Sequence, residues 1–139
     1  MKQKLTQLVN NPNIGLLIIR LAAGIIFIAA GIPKFAGGAE SLKGVGSSMA
    51  IFGIDFAPLL WGGMAATAEL VGGLLIILGV CTRISSFFLF FTMVVAAAVK
   101  INGGGDIIKE AGYPIVLAAV SLGLVFTGSG KFAVKEGSV

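Results

Sequence analysis

Four long apolar runs constrain this chain more than any other feature. The first, IGLLIIRLAAGIIFIAAGIP, covers Ile14 to Pro33. The second runs from about Pro58 to Val80, the third from Ile84 to Val99, and the fourth from Tyr113 to Thr127. A helix of roughly 20 apolar residues crosses the hydrocarbon core of a bilayer. The first two runs reach that length alone and the last two reach it with their flanks, which predicts helices over about 14–33, 58–80, 84–101 and 111–128. In lipid every backbone N–H and C=O must be satisfied within the chain, so stretches rich in Val, Ile and Phe read as helices rather than strands. Only 12% of the 139 residues are charged, against about a quarter in a soluble domain. The expected fold is an all-α membrane protein. It is a single domain over residues 1–139, a four-transmembrane-helix bundle with a short interfacial helix in the first outer loop.

Several functions are excluded by what the sequence lacks. It has one cysteine, Cys81, and no histidine. A lone cysteine makes no internal disulfide, CxxC pair or thiolate cage, and the imidazole ligands usual for haem, copper and non-haem iron are missing. No metal site and no covalently bound cofactor are expected. A redox cofactor would be held non-covalently, a quinone for example, or by a partner subunit. The net charge of +4 forms no dense basic patch, so nucleic acid is not an expected partner. The expected partners are membrane lipids and a partner subunit or a second copy. Lys2 and Lys4 before an apolar run, with Ala29-Ala30-Gly31 near its end, hint at a signal peptide. The run is longer than a usual signal core and contains Arg20, so it reads as a retained helix.

An even number of spans places both termini on one side of the membrane. That side, with the short turn at Cys81-Thr82-Arg83, carries Lys2, Lys4, Arg83, Lys131 and Lys135, with Glu136. The opposite side carries Lys34, Lys43, Lys100 and Lys109, with Glu40, Asp55, Asp106 and Glu110. Five Lys/Arg against four favours termini in the cytoplasm, in a plasma (inner) membrane. The longest loop, Lys34 to Ala57, repeats Leu42, Val45, Met49 and Phe52 at helical spacing, which predicts a helix on the outer surface or capping the bundle. Its glycines, Gly44, Gly46 and Gly53, leave an irregular loop as the alternative. Asn102-Gly-Gly-Gly-Asp106 reads as a flexible connector.

Two charges remain inside spans. Arg20 lies roughly 9 Å in from Ile14, and Glu69 roughly 15 Å in from Gly79, at 1.5 Å per residue. A leaning arginine bridges the difference of roughly 6 Å, so the two are expected to face each other. The pair reads either as a structural salt bridge or as a polar site for a substrate, proton or quinone headgroup; a protonated Glu69 is a third option. The candidate polar site is Arg20, Glu69, Lys34 and Tyr113. Lys34 is expected to snorkel to headgroups, with an inward turn as the alternative. Trp61 and Tyr113 read as interfacial anchors. The phenylalanines of the third helix read as facing lipid. Gly62, Ala66, Gly72 and Gly73 flank Glu69 and read as helix-packing positions, and Ala119 and Gly123 give the fourth helix a similar notch.

These residues together resemble the DoxX family of small four-helix membrane proteins over about Leu17 to Val134. Arg20, Gly24, Gly31 and Lys34 resemble the family's first-helix R…G…G..K pattern. Glu69-Leu-Val-Gly-Gly-Leu-Leu, then Gly79, Thr82 and Arg83, is similar to its E..GG..L..G..TR, and Thr127-Gly128-Ser129-Gly130-Lys131 to the GxG that closes the fourth helix. Lys100 stands where many members have a histidine. Glu110 precedes the position at which many carry a glutamate, and Lys135 replaces a common terminal acid. The resemblance implies a link to membrane oxidoreductases: the name-giving relatives are linked to a thiosulfate:quinone oxidoreductase and others to oxidative-stress complexes. Distant animal relatives are membrane chaperones.

Three functions are carried forward. One is a membrane subunit of an oxidoreductase system, quinone or sulfur-compound linked. Another is a non-catalytic chaperone, assembly or scaffold subunit. The third is a small-molecule or proton-coupled carrier.

Overall fold

The computed structural model describes residues 1–134; Lys135 and Glu136, used in the charge count, lie outside the described residues. Four helices cross the bilayer: α2 (Pro12–Ala36), α4 (Pro58–Leu78), α5 (Thr82–Asn102) and α6 (Gly112–Thr127). A π-helical turn over Ile107–Ala111 leads into α6 and lengthens that span to 21 residues. α1 (Lys2–Val9) precedes the bundle and α3 (Gly38–Gly46) lies in the first loop. α1 and the segment that follows α6 mark the terminal side of the bundle, and α3 marks the loop side.

α2 and α4 start, and α4 stops, for local reasons. Asn11 accepts a hydrogen bond from the Asn13 amide and Pro12 follows at the first helical position, where its missing N–H costs nothing. α4 also opens on a proline, Pro58. It stops at Gly79, whose left-handed φ of 79° suits a residue without a Cβ.

The expected loop helix forms, as α3 followed by a 3-10 turn over Ser47–Phe52. It packs against protein rather than floating on lipid. A Cβ on Gly46 would run into the Pro58 carbonyl, and one on Gly62 into the Leu42 carbonyl. α3 therefore meets the start of α4 backbone to backbone, a contact only glycine permits. α1 was not foreseen: its eight residues are exposed throughout.

The bundle core is made by Ala23, Phe27, Ile76, Leu89, Met93, Leu117, Ala118 and Leu124. α2 and α4 approach closely at two levels. Gly24 faces the Gly73 carbonyl, and Gly31 faces the Ala66 carbonyl and the Leu70 amide. Lipid tails are as apolar as leucine, so this approach is stabilised by dispersion rather than by expelling water. Beyond α6 the chain hooks back under α2 and α4: the Lys131 amide donates to Asn13 Oδ1 at 2.9 Å and the Val134 amide to the Leu78 carbonyl at 2.8 Å.

Candidate functional site

The two buried charges do not meet. Arg20 donates from Nε to the Ile76 carbonyl (2.8 Å), from Nη2 to Ile77 (2.9 Å), and from Nη1 to Ser129 (2.9 Å) and Phe132 (2.5 Å). The expected Arg20–Glu69 pair is thus corrected, and the depth count shows why. It assumed that helix ends lie flush. Arg20 is eight residues past Pro12, while its partner Ile76 is three before Gly79. α2 therefore starts about five residues, or roughly 7.5 Å, beyond the end of α4, and Glu69 sits two turns farther into the bilayer than Arg20.

The guanidinium has another occupation. The last four carbonyls of a helix have no intrahelical donor. In α4, Leu75 accepts from the Gly79 and Val80 amides, Ile76 and Ile77 from Arg20, and Leu78 from Val134. All four are satisfied, and a cation stands at the negative end of the helix dipole. Arg83 plays a smaller version of this part for α6, donating to the Val125 carbonyl at 3.2 Å.

Glu69 pairs instead with Lys34, whose Nζ lies 2.6 Å from Oε1 and also touches Oε2. The expectation that Lys34 snorkels to headgroups is likewise corrected. The residue sits in the last turn of α2, one turn above the level of Glu69, so its long stem folds back into the bundle. Glu69 is 1% exposed and Lys34 26%; the carboxylate is closed off and the lysine side chain is partly open.

That opening is a cavity of about 410 Å³ between α4 and α5, roofed by Val45, Gly46, Ser48 and Met49. Lys34 and Glu69 stand in its wall with Trp61, Ala65 and Ala68 of α4. Phe88, Phe91, Thr92, Val95, Ala96, Val99 and Lys100 supply the α5 side. Trp61 is therefore more than an anchor. Its ring packs edge-on against Phe56 at 6.2 Å, and its buried Nε1 has no hydrogen-bond partner among the described residues. Phe88 and Phe91 are half-exposed, so they face both lipid and the cavity.

Tyr113 is 55% exposed and does not line this cavity; Arg20 is also apart from it. The small residues around Glu69 serve three neighbours: Gly62 meets α3, Ala66 and Gly73 meet α2, and Gly72 meets Leu89 of α5. Among the described residues, no group of three or more His, Cys, Asp or Glu could hold a metal ion. Trp61, Thr92 and Lys100 were missed as cavity residues, although spacing pointed to them. Trp61, Ala65 and Glu69 recur every four residues, as do Phe88, Thr92, Ala96 and Lys100, so each set shares one helix face.

The cavity wall thus holds two lysines, a tryptophan and the hydroxyl residues Ser48 and Thr92 with one carboxylate, among otherwise apolar side chains. Lys100, at the position where the family pattern carries histidine, stands at its rim.

Helices of this length and hydropathy, with a loop helix folded onto them, define a small multi-pass membrane protein. The chain belongs to the DoxX family, whose profile matches residues 15–101. It is 30% identical over 116 residues, 84% of this chain and 81% of the relative, to a Bacillus subtilis (strain 168) protein named "Putative oxidoreductase CatD". No solved structure matches the chain.

Proposed function

We propose that the protein is the membrane subunit of a quinone-linked oxidoreductase system, and that the loop-side cavity receives the quinone head. The observation that carries this reading is the buried Trp61 Nε1, a donor without a partner among the described residues, on a tryptophan in the wall of an apolar cavity that also holds Lys34 and Glu69. An unpaired buried donor is costly, and a ring carbonyl oxygen suits both it and the ammonium groups. The apolar walls favour a flat ring over a small sulfur oxyanion, which would leave them unfilled. The relative's oxidoreductase name agrees with the reading.

When bound, a quinone supplies two-electron, two-proton redox chemistry. The chain's own part is to orient the head from Lys34, Lys100 and Trp61, to keep water out with Phe88, Phe91 and Met49, and to hold a proton at Glu69. Electrons come from a partner subunit. The membrane is the plasma (inner) membrane, with the termini in the cytoplasm.

Native mass spectrometry of protein extracted in its own lipids tests this. Wild type is expected to retain a quinone, and Lys34→Met to lose it while remaining folded. A folded wild type that never retains quinone, with Glu69→Gln lowering only stability or complex yield, would make the protein a scaffold subunit instead.

A further inference from the structure

A second hollow runs along the lipid face of the same two helices. It measures about 770 Å³ and follows α4 from Leu59 to Leu75, with Ile84, Ser85 and Phe88 of α5 as its other bank. Its length along α4 is sixteen residues, or roughly 24 Å, most of the hydrocarbon core of roughly 30 Å. Its lining is almost wholly apolar, and at Gly63 a Cβ would meet nothing within 4 Å.

Three residues belong to both hollows: Met64, Ala68 and Phe88. The two spaces thus adjoin, one carrying polar groups and the other lacking charges. That combination matches one kind of occupant, a molecule with an acceptor-bearing head and a long hydrocarbon tail. We propose that the furrow holds the tail of the molecule whose head enters the cavity, with Met64, Ala68 and Phe88 as the sill between them. This rests on the head reading above. It adds that the ligand is long-tailed and that α4 selects it by tail as well as by head. The tail gains no hydrophobic energy on leaving lipid; its gain is close packing against a fixed wall, so selectivity is expected to be modest.

The chain's single tryptophan lines the cavity and reports on the head. Its fluorescence quenching is measured in lipid nanodiscs with two probes, counting concentration per lipid. One is a tail-less dimethoxy-methyl-benzoquinone and the other is the same ring with a decyl tail. The decyl probe is expected to reach half-quenching at roughly one tenth the concentration of the bare ring, a difference of about 1.4 kcal/mol. Gly63→Phe directs a ring into the furrow from a position where a Cβ meets nothing within 4 Å. It should abolish that preference while leaving bare-ring quenching unchanged, and Gly63→Ala should retain most of it. Equal quenching by both probes in wild type would overturn the tail furrow and leave the head reading standing. So would a decyl preference that Gly63→Phe does not reduce. Lower recovery of a partner or dimer in Gly63→Phe, with tail preference intact, would assign the furrow to a helix and overturn the inference. Quenching by neither probe would overturn both readings.

Discussion

Arg20 and Glu69 are equally buried, at 1% exposure each, yet their surroundings differ in kind. Arg20 at the terminal side is closed on all sides by backbone: four carbonyls from two segments accept its hydrogen bonds. Glu69 on the loop side has one partner, a lysine that is partly open to a cavity. A charge satisfied by backbone cannot release its partners without unfolding a helix end. A charge satisfied by one flexible side chain can exchange that partner for a ligand. The first arrangement therefore serves the fold, and the second leaves room for chemistry.

The comparison can be broken at either end. The largest effect is expected at Arg20. Arg20→Met strands four carbonyls and should cost on the order of 4 kcal/mol or more, measured by reversible unfolding in mixed micelles. Arg20→Lys should recover little, because three donors on a point charge cannot replace a planar fork. If Arg20→Met folded normally but lost ligand binding, the two sites would have to exchange roles.

Gly24→Val should come next. Its side chain would strike the Gly73 carbonyl and Ile77, an overpacking cost of about 1–3 kcal/mol by the same assay. Glu69→Gln should be milder, about 1 kcal/mol, because Lys34 is free to swing toward headgroups. Its effect on quinone retention should exceed its effect on stability; the opposite order would make the loop-side pair a second clamp. The smallest change in stability is expected for Trp61→Phe, within about 0.5 kcal/mol, since it removes a donor that has no partner among the described residues. Retention of quinone by native mass spectrometry should nevertheless fall.

The four spans were legible because run length and lipid chemistry leave one solution, and the loop helix because Leu42, Val45, Met49 and Phe52 keep helical spacing. The pairing of charges was not. It depends on how far α2 overhangs α4, and no local pattern encodes that offset. Nor does sequence say that Arg20 would prefer carbonyls to a carboxylate; that follows from the end of α4 lying beside it and from a hook more than a hundred residues away. Lys34 and Trp61 were each visible as residues near a membrane boundary. The roof that turns both inward, α3, is set by glycine contacts at Gly46 and Gly62 rather than by either residue.

The hook also bears on the order in which the chain is assembled. Arg20 is separated from Ser129 by 109 residues and from Phe132 by 112, and the neighbouring Asn13–Lys131 bond spans 118. At the ribosome, the first span enters the bilayer with its guanidinium unmet, gains the Ile76 and Ile77 carbonyls with the second span, and completes its set only after the fourth has been delivered. The early intermediates thus carry a cation inside the bilayer whose hydrogen bonds are incomplete, which is costly there. A segment inserted just after residue 134 would then be felt first at α2, the first span to be made, rather than at α6, the last.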